Sequence, residues 1–146
     1  MSYLVEYSRN LGSVSTDENS VTLSFYTRSP KESQLDATVR ELDSLAVVMG
    51  GTAKHHSRYP GWDFAKTSRI RTAYLNASRK AMGKDLLPVG VHAGLECGII
   101  CSAIPDMDAI SIGPNTKGIH SPDEALDLAS CETFWSALRA LIEELS

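Results

Sequence analysis

The sequence predicts a mixed α/β fold, in which an α+β first part is followed by a segment of alternating helices and strands. Two observations carry this prediction. Near the N-terminus, two stretches with alternating apolar residues precede a long helical pattern, which together indicate a ββα unit. After about residue 65, helical and strand-like patterns alternate to the end of the sequence. Such alternation favours a layered sheet with parallel neighbouring strands.

The first part is predicted to hold two paired strands and one helix. Residues 3–8 and 20–28 alternate apolar with other side chains, and the polar stretch 15–20 suits a hairpin connection. Apolar residues then recur at helical spacing over 30–49, after a proline and before a glycine pair. A third strand is expected over 52–57.

The second part is predicted to contain three helices and two strands. A helix extends from about residue 65 to Met82, a strand follows over 88–92, and another helix covers 96–103. A strand over 107–114 then leads to a last helix that begins after Ser121. The apolar face of that helix is expected to comprise Leu128, Trp135, Leu138, Ile142 and Leu145.

Composition excludes several classes of function. In 146 residues, 14 Lys and Arg against 18 Asp and Glu give a net charge of -4, and the basic residues are scattered. The basic residues therefore form no stripe that could bind a phosphate backbone, and nucleic-acid binding is not expected. Neither a membrane-spanning apolar run nor a signal-peptide pattern is present, which predicts a cytoplasmic protein with no membrane partner. The odd number of cysteines, three, favours reduced thiols over a disulfide framework.

The stretch Gly118-Ile119-His120-Ser121-Pro122-Asp123-Glu124 places an imidazole at the predicted start of the last helix. Ser121 is expected to cap that helix, and Glu124 follows at capping-box spacing. His120 is therefore expected just outside the helix, beyond the end of the 107–114 strand, where open α/β folds place their ligand sites. From these residues alone, His120 is either a metal-binding or proton-transferring group or an ordinary loop histidine.

A second possible site lies around Val91-His92-Ala93-Gly94-Leu95-Glu96-Cys97-Gly98. Cys97 with His92 as its base would form a nucleophile, because a nearby imidazole and a helix terminus lower a thiol pKa. The small apolar neighbours suit a buried structural cysteine equally well. Cys97 and Cys101 form one possible ligand pair, but the sequence contains no second cysteine pair. The two residues are therefore a weak zinc signature. Packing is the simpler role for both.

Arg28 ends the second predicted strand and is a candidate for anion recognition. A guanidinium at a strand end can bind a carboxylate through two parallel hydrogen bonds. The alternative is a solvated surface arginine. The adjacent pair His55-His56 does not indicate a metal site, because neighbouring residues of a strand point to opposite faces.

Four blocks together resemble the C-terminal part of the aminoacyl-histidine dipeptidases, also called Xaa-His dipeptidases, of the di-zinc metallopeptidase clan. The blocks are Tyr59-Pro60-Gly61-Trp62, His92-Ala93-Gly94-Leu95-Glu96-Cys97-Gly98, Ser111-Ile112-Gly113-Pro114 and His120-Ser121-Pro122-Asp123-Glu124. The resemblance implies that residues 1–64 form the second half of a lid and dimerisation domain. Residues 65–146 would then form the last segment of a zinc peptidase catalytic domain.

The resemblance also implies three site residues. His120 would be the one C-terminal zinc ligand, Gly94 would bring its backbone to the substrate, and Arg28 would bind the substrate carboxylate. A complete enzyme of this kind would use two zinc ions to hydrolyse dipeptides that end in histidine, and would form a homodimer.

The sequence lacks most of what that chemistry needs. It contains no His-x-Asp motif, and a catalytic zinc takes about three protein ligands. The chain is therefore expected to be an inactive fragment of a dipeptidase, with no catalytic residue of its own. Two alternatives remain open at this point. One is a non-catalytic dimerisation or binding module, and the other is an unrelated small hydrolase that uses Cys97 and His92.

Overall fold

The computed structural model describes residues 5–92 and 95–146. Within these ranges the chain forms four helices and two small antiparallel sheets, so the mixed α/β class is confirmed. The expected parallel neighbours are wrong for the described strands, which pair only in antiparallel order. The elements are β1 (Ser8–Thr16), β2 (Val21–Arg28), α1 (Glu32–Val48), α2 (Arg69–Met82), α3 (Glu96–Ala103), β3 (Thr116–Lys117), β4 (Ala125–Leu126) and α4 (Leu128–Leu145).

The β1–β2 hairpin is confirmed as a motif, but its first strand lies later than predicted. The predicted strand over 3–8 is wrong for residues 5–7, because β1 begins at Ser8 and continues to Thr16, and residues 3 and 4 lie outside the described residues. Asp17 makes the tight turn, since its carboxylate accepts hydrogen bonds from the amides of Asn19 and Ser20 at 2.9 and 2.8 Å. The turn residues were recognisable in the sequence, whereas the strand register was not.

A bulge fixes the register of this hairpin. Leu11 pairs with Phe25, and the pairing then shifts so that Ser13 faces Ser24. The extra residue is Gly12, and a Cβ on it would overlap the ring of Tyr26. A glycine is therefore needed where the aromatic ring crosses the neighbouring strand.

Helix α1 confirms the sequence prediction closely. It begins at Glu32, two residues after Pro30, and ends where Gly50 adopts a left-handed conformation with φ +71°. Lys31 forms an ion pair with Glu6. The helix thus starts and stops at the residues that a sequence marks most clearly, proline and glycine.

The predicted strands over 52–57, 88–92 and 107–114 are wrong, because none of these segments pairs with a neighbouring strand in the described structure. Short apolar runs do not distinguish a strand from extended chain, since a strand also needs a hydrogen-bonding partner. The ladder nearest to the last segment is the two-residue pair of β3 with β4.

Contacts between Cα atoms divide the chain into two compact units. Unit 1 comprises the described residues of 1–65 and 89–106, and unit 2 comprises 66–88 and 107–146. The assignment of 1–64 to a lid and of 65–146 to a catalytic segment stays a prediction. Among the described residues, no helix has both the length and the apolar composition that a bilayer crossing requires.

The core of unit 2 is the contact between α2 and α4. Ala77 and Ser78 of α2 are fully buried, as is Ala137 of α4, and Leu141 is nearly so. The apolar face expected for the last helix is therefore mostly different from the side of the helix that is buried. Most of that face is exposed to solvent, namely Leu128, Trp135, Ile142 and Leu145, whereas Leu138 is half-buried. A neighbouring side of the helix, with small residues, packs against α2.

Candidate functional site

His120 lies in a tight turn and not beside a helix start. Its backbone adopts φ +64°, a left-handed conformation that non-glycine residues rarely take. The amide of His120 donates a hydrogen bond to Glu124 Oε2 at 2.8 Å, and the amide of Ser121 donates to the Gly118 carbonyl at 3.0 Å. Gly118 is also left-handed, with φ +60°. The turn thus holds the backbone of His120 in an uncommon conformation.

The predicted capping role of Ser121 is wrong, and Glu124 accepts from the amide of His120 and not, as a capping box requires, from that of Ser121. The Ser121 hydroxyl donates to the Gly118 carbonyl at 2.7 Å, and such local side-chain bonds compete with helix formation. The chain instead continues through β4, and α4 begins at Leu128 with Asp127 as its N-cap. Asp127 Oδ1 accepts from the amide of Ala129 at 3.1 Å.

The imidazole of His120 is exposed, and its ring nitrogens make no hydrogen bond to any residue that the structure describes. Left-handed non-glycine residues cost about 1–3 kcal/mol and often occur at ligand sites. A neutral imidazole with an accessible nitrogen is a suitable metal ligand. The geometry is therefore compatible with a ligand role.

A complete metal site is not formed by the described residues. Within 5–92 and 95–146, no three His, Cys, Asp or Glu side chains lie close enough to hold an ion together. A catalytic zinc needs about three protein ligands and a two-metal site needs more. His120 with the other described residues therefore does not fit zinc as a resident cofactor, and no catalytic step through zinc can be derived for them.

Arg28 occupies the last position of β2, opposite Ser8, and is exposed. Its guanidinium forms no ion pair with any described residue, so it is available for an anion. Gly94, the other predicted substrate-binding residue, lies outside the described residues. Arg28 belongs to unit 1 and His120 to unit 2.

The Cys97 and His92 hypothesis gains no support. Burial raises the pKa of the Cys97 thiol, and the nearby Cys101 and Glu96 raise it further. A raised pKa disfavours the thiolate that a nucleophile needs. No hydrogen bond between His92 and Cys97 occurs in the described structure, and the cysteines form no disulfide.

The segment Tyr59-Pro60-Gly61-Trp62 forms a close-packed part of unit 1 that the sequence did not reveal. Arg58 forms ion pairs with both Glu32 and Asp36 of α1. The Gly61 amide donates to Glu32 Oε2 at 2.7 Å. Glu32 thus binds both Gly61 and Arg58, the residue just before this segment, which fixes the segment at the start of α1.

Two glycines permit this packing. A Cβ on Gly61 would overlap the Pro30 carbonyl oxygen and lie 2.8 Å from the Glu32 nitrogen. A Cβ on Gly98, in α3, would lie 3.1 Å from the Pro60 carbonyl oxygen. The glycines were visible in the sequence, but nothing there indicated which backbone each one would approach.

Comparison with known proteins identifies two related dipeptidases. The chain is 34% identical over 142 residues to the cytosol non-specific dipeptidase of Escherichia coli, an alignment that covers 97% of the chain and 29% of that protein. The crystal structure of aminoacylhistidine dipeptidase from Vibrio alginolyticus matches 98% of the chain with a TM-score of 0.82 and 34% identity, and 29% of that protein is covered. No family model matches.

The predicted resemblance to the C-terminal portion of the aminoacyl-histidine dipeptidases is therefore confirmed. The chain spans less than a third of the length of each of these relatives. It is related to dipeptidases both in sequence and in fold.

Proposed function

We propose that this chain supplies the C-terminal part of a metal-dependent dipeptidase, and that it is inactive alone. One observation carries the proposal, namely a match to dipeptidases over 97–98% of the chain at 34% identity and a TM-score of 0.82. The absence of a three-residue metal cluster among the described residues supports the inactivity. The remaining ligands and the general base would come from polypeptide that corresponds to the rest of these relatives.

His120 is the proposed metal ligand, with zinc as the proposed metal. Three observations favour it over an ordinary loop histidine: an exposed ring, a left-handed backbone, and an amide bonded to Glu124. The amide bond leaves both ring nitrogens available, and imidazole nitrogen is a common zinc ligand. Glu124 is thus proposed to fix the loop that carries the ligand.

Arg28 and Gly94 are the proposed substrate-binding residues, and the proposed substrates are dipeptides that end in histidine. The exposed guanidinium of Arg28, with no ion pair in the described structure, suits a terminal carboxylate. The name of the Vibrio alginolyticus relative refers to aminoacyl-histidine substrates, and that of the E. coli relative to cytosol. A cytoplasmic location is proposed because the name of the E. coli relative refers to the cytosol.

A complementation assay tests this function. The chain would be produced together with the part of the E. coli dipeptidase that lies outside the matched 29%, and histidine release from alanyl-histidine would be measured with added zinc. We expect hydrolysis by the pair and none by the chain alone. His120→Ala should abolish the activity of the pair, because it removes a metal ligand.

His56→Ala is the matched control, since His56 is an exposed histidine whose ring forms a hydrogen bond with the neighbouring Ser57. It should leave the activity of the pair unchanged. Chelator-sensitive hydrolysis by the chain alone would contradict the proposed inactivity, and sensitivity to thiol alkylation would favour a cysteine enzyme. Full activity of the His120→Ala pair would show that this histidine is not a ligand.

A second proposed role is homodimerisation through the β1–β2 hairpin. Cross-strand partners share one face of a sheet, and the pairs Leu11 with Phe25 and Val14 with Leu23 place four apolar side chains together. Val21 lies on the same face, two residues from Leu23. All five are exposed, and an isolated two-stranded sheet is only marginally stable in water. A second copy of this hairpin is the proposed cover.

A further inference from the structure

Helix α4 has a wider apolar sector than its partner helix covers. On the side that faces α2, Ala137 and Leu141 are buried, and Glu144 forms an ion pair with Lys80 of α2 at 2.6 Å. Farther around the helix, Leu128, Trp135 and Ile142 are 77%, 58% and 58% exposed. We call these three residues the outer stripe.

The outer stripe is one continuous line along the helix. Its members are seven residues apart, and such residues lie nearly above one another because a helix turns about 100° per residue. Leu138 and Leu145 lie between the outer stripe and the side that packs on α2, so the apolar sector is unbroken. A helix of this pattern normally has protein against both sides of the sector.

We propose that the outer stripe of α4 binds the part of the dipeptidase that corresponds to the unmatched length of its relatives. This inference rests on the proposed function and names the surface through which the two parts associate. The matched region makes up 29% of each relative and keeps the fold of this chain, with a TM-score of 0.82, inside the larger Vibrio alginolyticus protein. A face that is apolar and open here is therefore available to the remaining polypeptide.

The charges beside the stripe favour a protein over a lipid surface. Glu132 and Glu143 flank it on the polar side of the helix, with Arg139 as the single cation between them. Carboxylates disfavour an anionic membrane, which recruits helices with basic flanks. Tryptophan, the central residue of the stripe, is instead among the side chains most enriched at the energetically important positions of protein–protein contacts.

The test uses the full chain, labelled for fluorescence anisotropy, with the unmatched part of the E. coli dipeptidase as the binding partner. We expect a complex, and Trp135→Ala should weaken it about tenfold or more. Ile142→Ala is a second, milder variant with the same expected direction. Leu87→Ala is the matched control, because Leu87 is an exposed leucine of unit 2 outside α4, 77% exposed. Circular dichroism would establish that each variant is folded.

The outcomes separate this inference from the proposed function. A complex that Trp135→Ala and Ile142→Ala leave unchanged overturns the stripe but not the function. A stripe-dependent complex that does not hydrolyse alanyl-histidine overturns the function but not the stripe. If the chain associates with itself and Trp135→Ala abolishes that association, a second copy of the chain covers the outer stripe. This result overturns the proposal. The matching segment of the E. coli protein, tested with the same binding partner, is the positive control. If that segment forms a complex and this chain does not, the proposal is overturned.

Discussion

Gly61 shows how a single residue can determine the packing of a segment. Its amide bonds to Glu32, and the Pro30 carbonyl oxygen occupies the space that a side chain would need. We expect Gly61→Ala to lower the free energy of unfolding by about 1–3 kcal/mol, as overpacking usually does. Urea denaturation would measure it. Gly51→Ala is the control, because its nearest neighbour would be 3.6 Å away. Equal free energies of unfolding for Gly61→Ala and Gly51→Ala would contradict the close approach of Gly61 to the Pro30 carbonyl oxygen.

Ser78 of α2 and Ser68, the N-cap residue before that helix, should respond to alanine in opposite directions. Ser78 is fully buried, and its hydroxyl has no partner in the described structure, whereas Ser68 accepts a hydrogen bond from the Arg71 amide as N-cap. Ser78→Ala should raise the free energy of unfolding by up to about 1 kcal/mol, because an unpaired buried polar group is removed. Ser68→Ala should lower it by about 1 kcal/mol. Thermal unfolding of both variants would measure this, and a destabilised Ser78→Ala would indicate an unseen partner for the hydroxyl.

At the scale of elements, the N-terminus of α2 depends on a carboxylate from elsewhere in unit 2. Asp108 accepts a hydrogen bond from the Ser68 hydroxyl, and Asp108 Oδ2 accepts from the Ile70 amide at 3.0 Å. These bonds, the serine bond first, lower the pKa of Asp108 below its ordinary value of 3.8. The carboxylate is thus favoured in the folded state, and it completes the cap of the helix.

This arrangement predicts acid sensitivity. A lowered folded pKa contributes stability that is present above the unfolded pKa and is lost as the pH falls through the folded value. The urea midpoint should therefore decline as the pH falls below about 5, and less steeply in Asp108→Asn. Glu132→Gln is the control, since the Glu132 carboxylate makes no hydrogen bond within the described residues. Parallel pH profiles for all three proteins would contradict the role of Asp108.

Prediction of the elements from sequence succeeded where a proline or a glycine sets the end of a helix locally. Helix α1 follows a proline and ends at a glycine, and α2 ends at Gly83 with φ +63°. Prediction failed where the outcome depends on competing bonds, as at Ser121, whose hydroxyl bonds to Gly118 and not to a helix amide. Strand pairing failed for the same reason, because partners distant in sequence decide it.

Prediction of the site was limited by what one sequence can show. The resemblance named His120 and Arg28, and both are exposed, with side chains available in the described structure. Residue patterns alone did not indicate the turn around His120 or the packing of Gly61 on Pro30. Both depend on backbone approaches that periodicity does not record.

At the scale of the whole molecule, the apolar hairpin face predicts association. Sedimentation equilibrium should show a concentration-dependent dimer, and Leu23→Lys should dissociate it, because a buried unpaired charge is costly. Thr22→Lys is the matched control, since neighbouring residues of β2 point to opposite faces. A monomer at all concentrations would contradict the proposed dimer, as would equal effects of the two substitutions.

The pairing of α2 with α4 also has a consequence during synthesis on the ribosome. The connection between them runs from Gly83 to Asp127, so α2 emerges long before the helix that covers Ala77 and Ser78. Local units fold early, whereas contacts distant in sequence wait for their second half to be translated. A nascent chain stalled before Leu128 would keep this surface uncovered, and chaperones that recognise apolar segments would find it there.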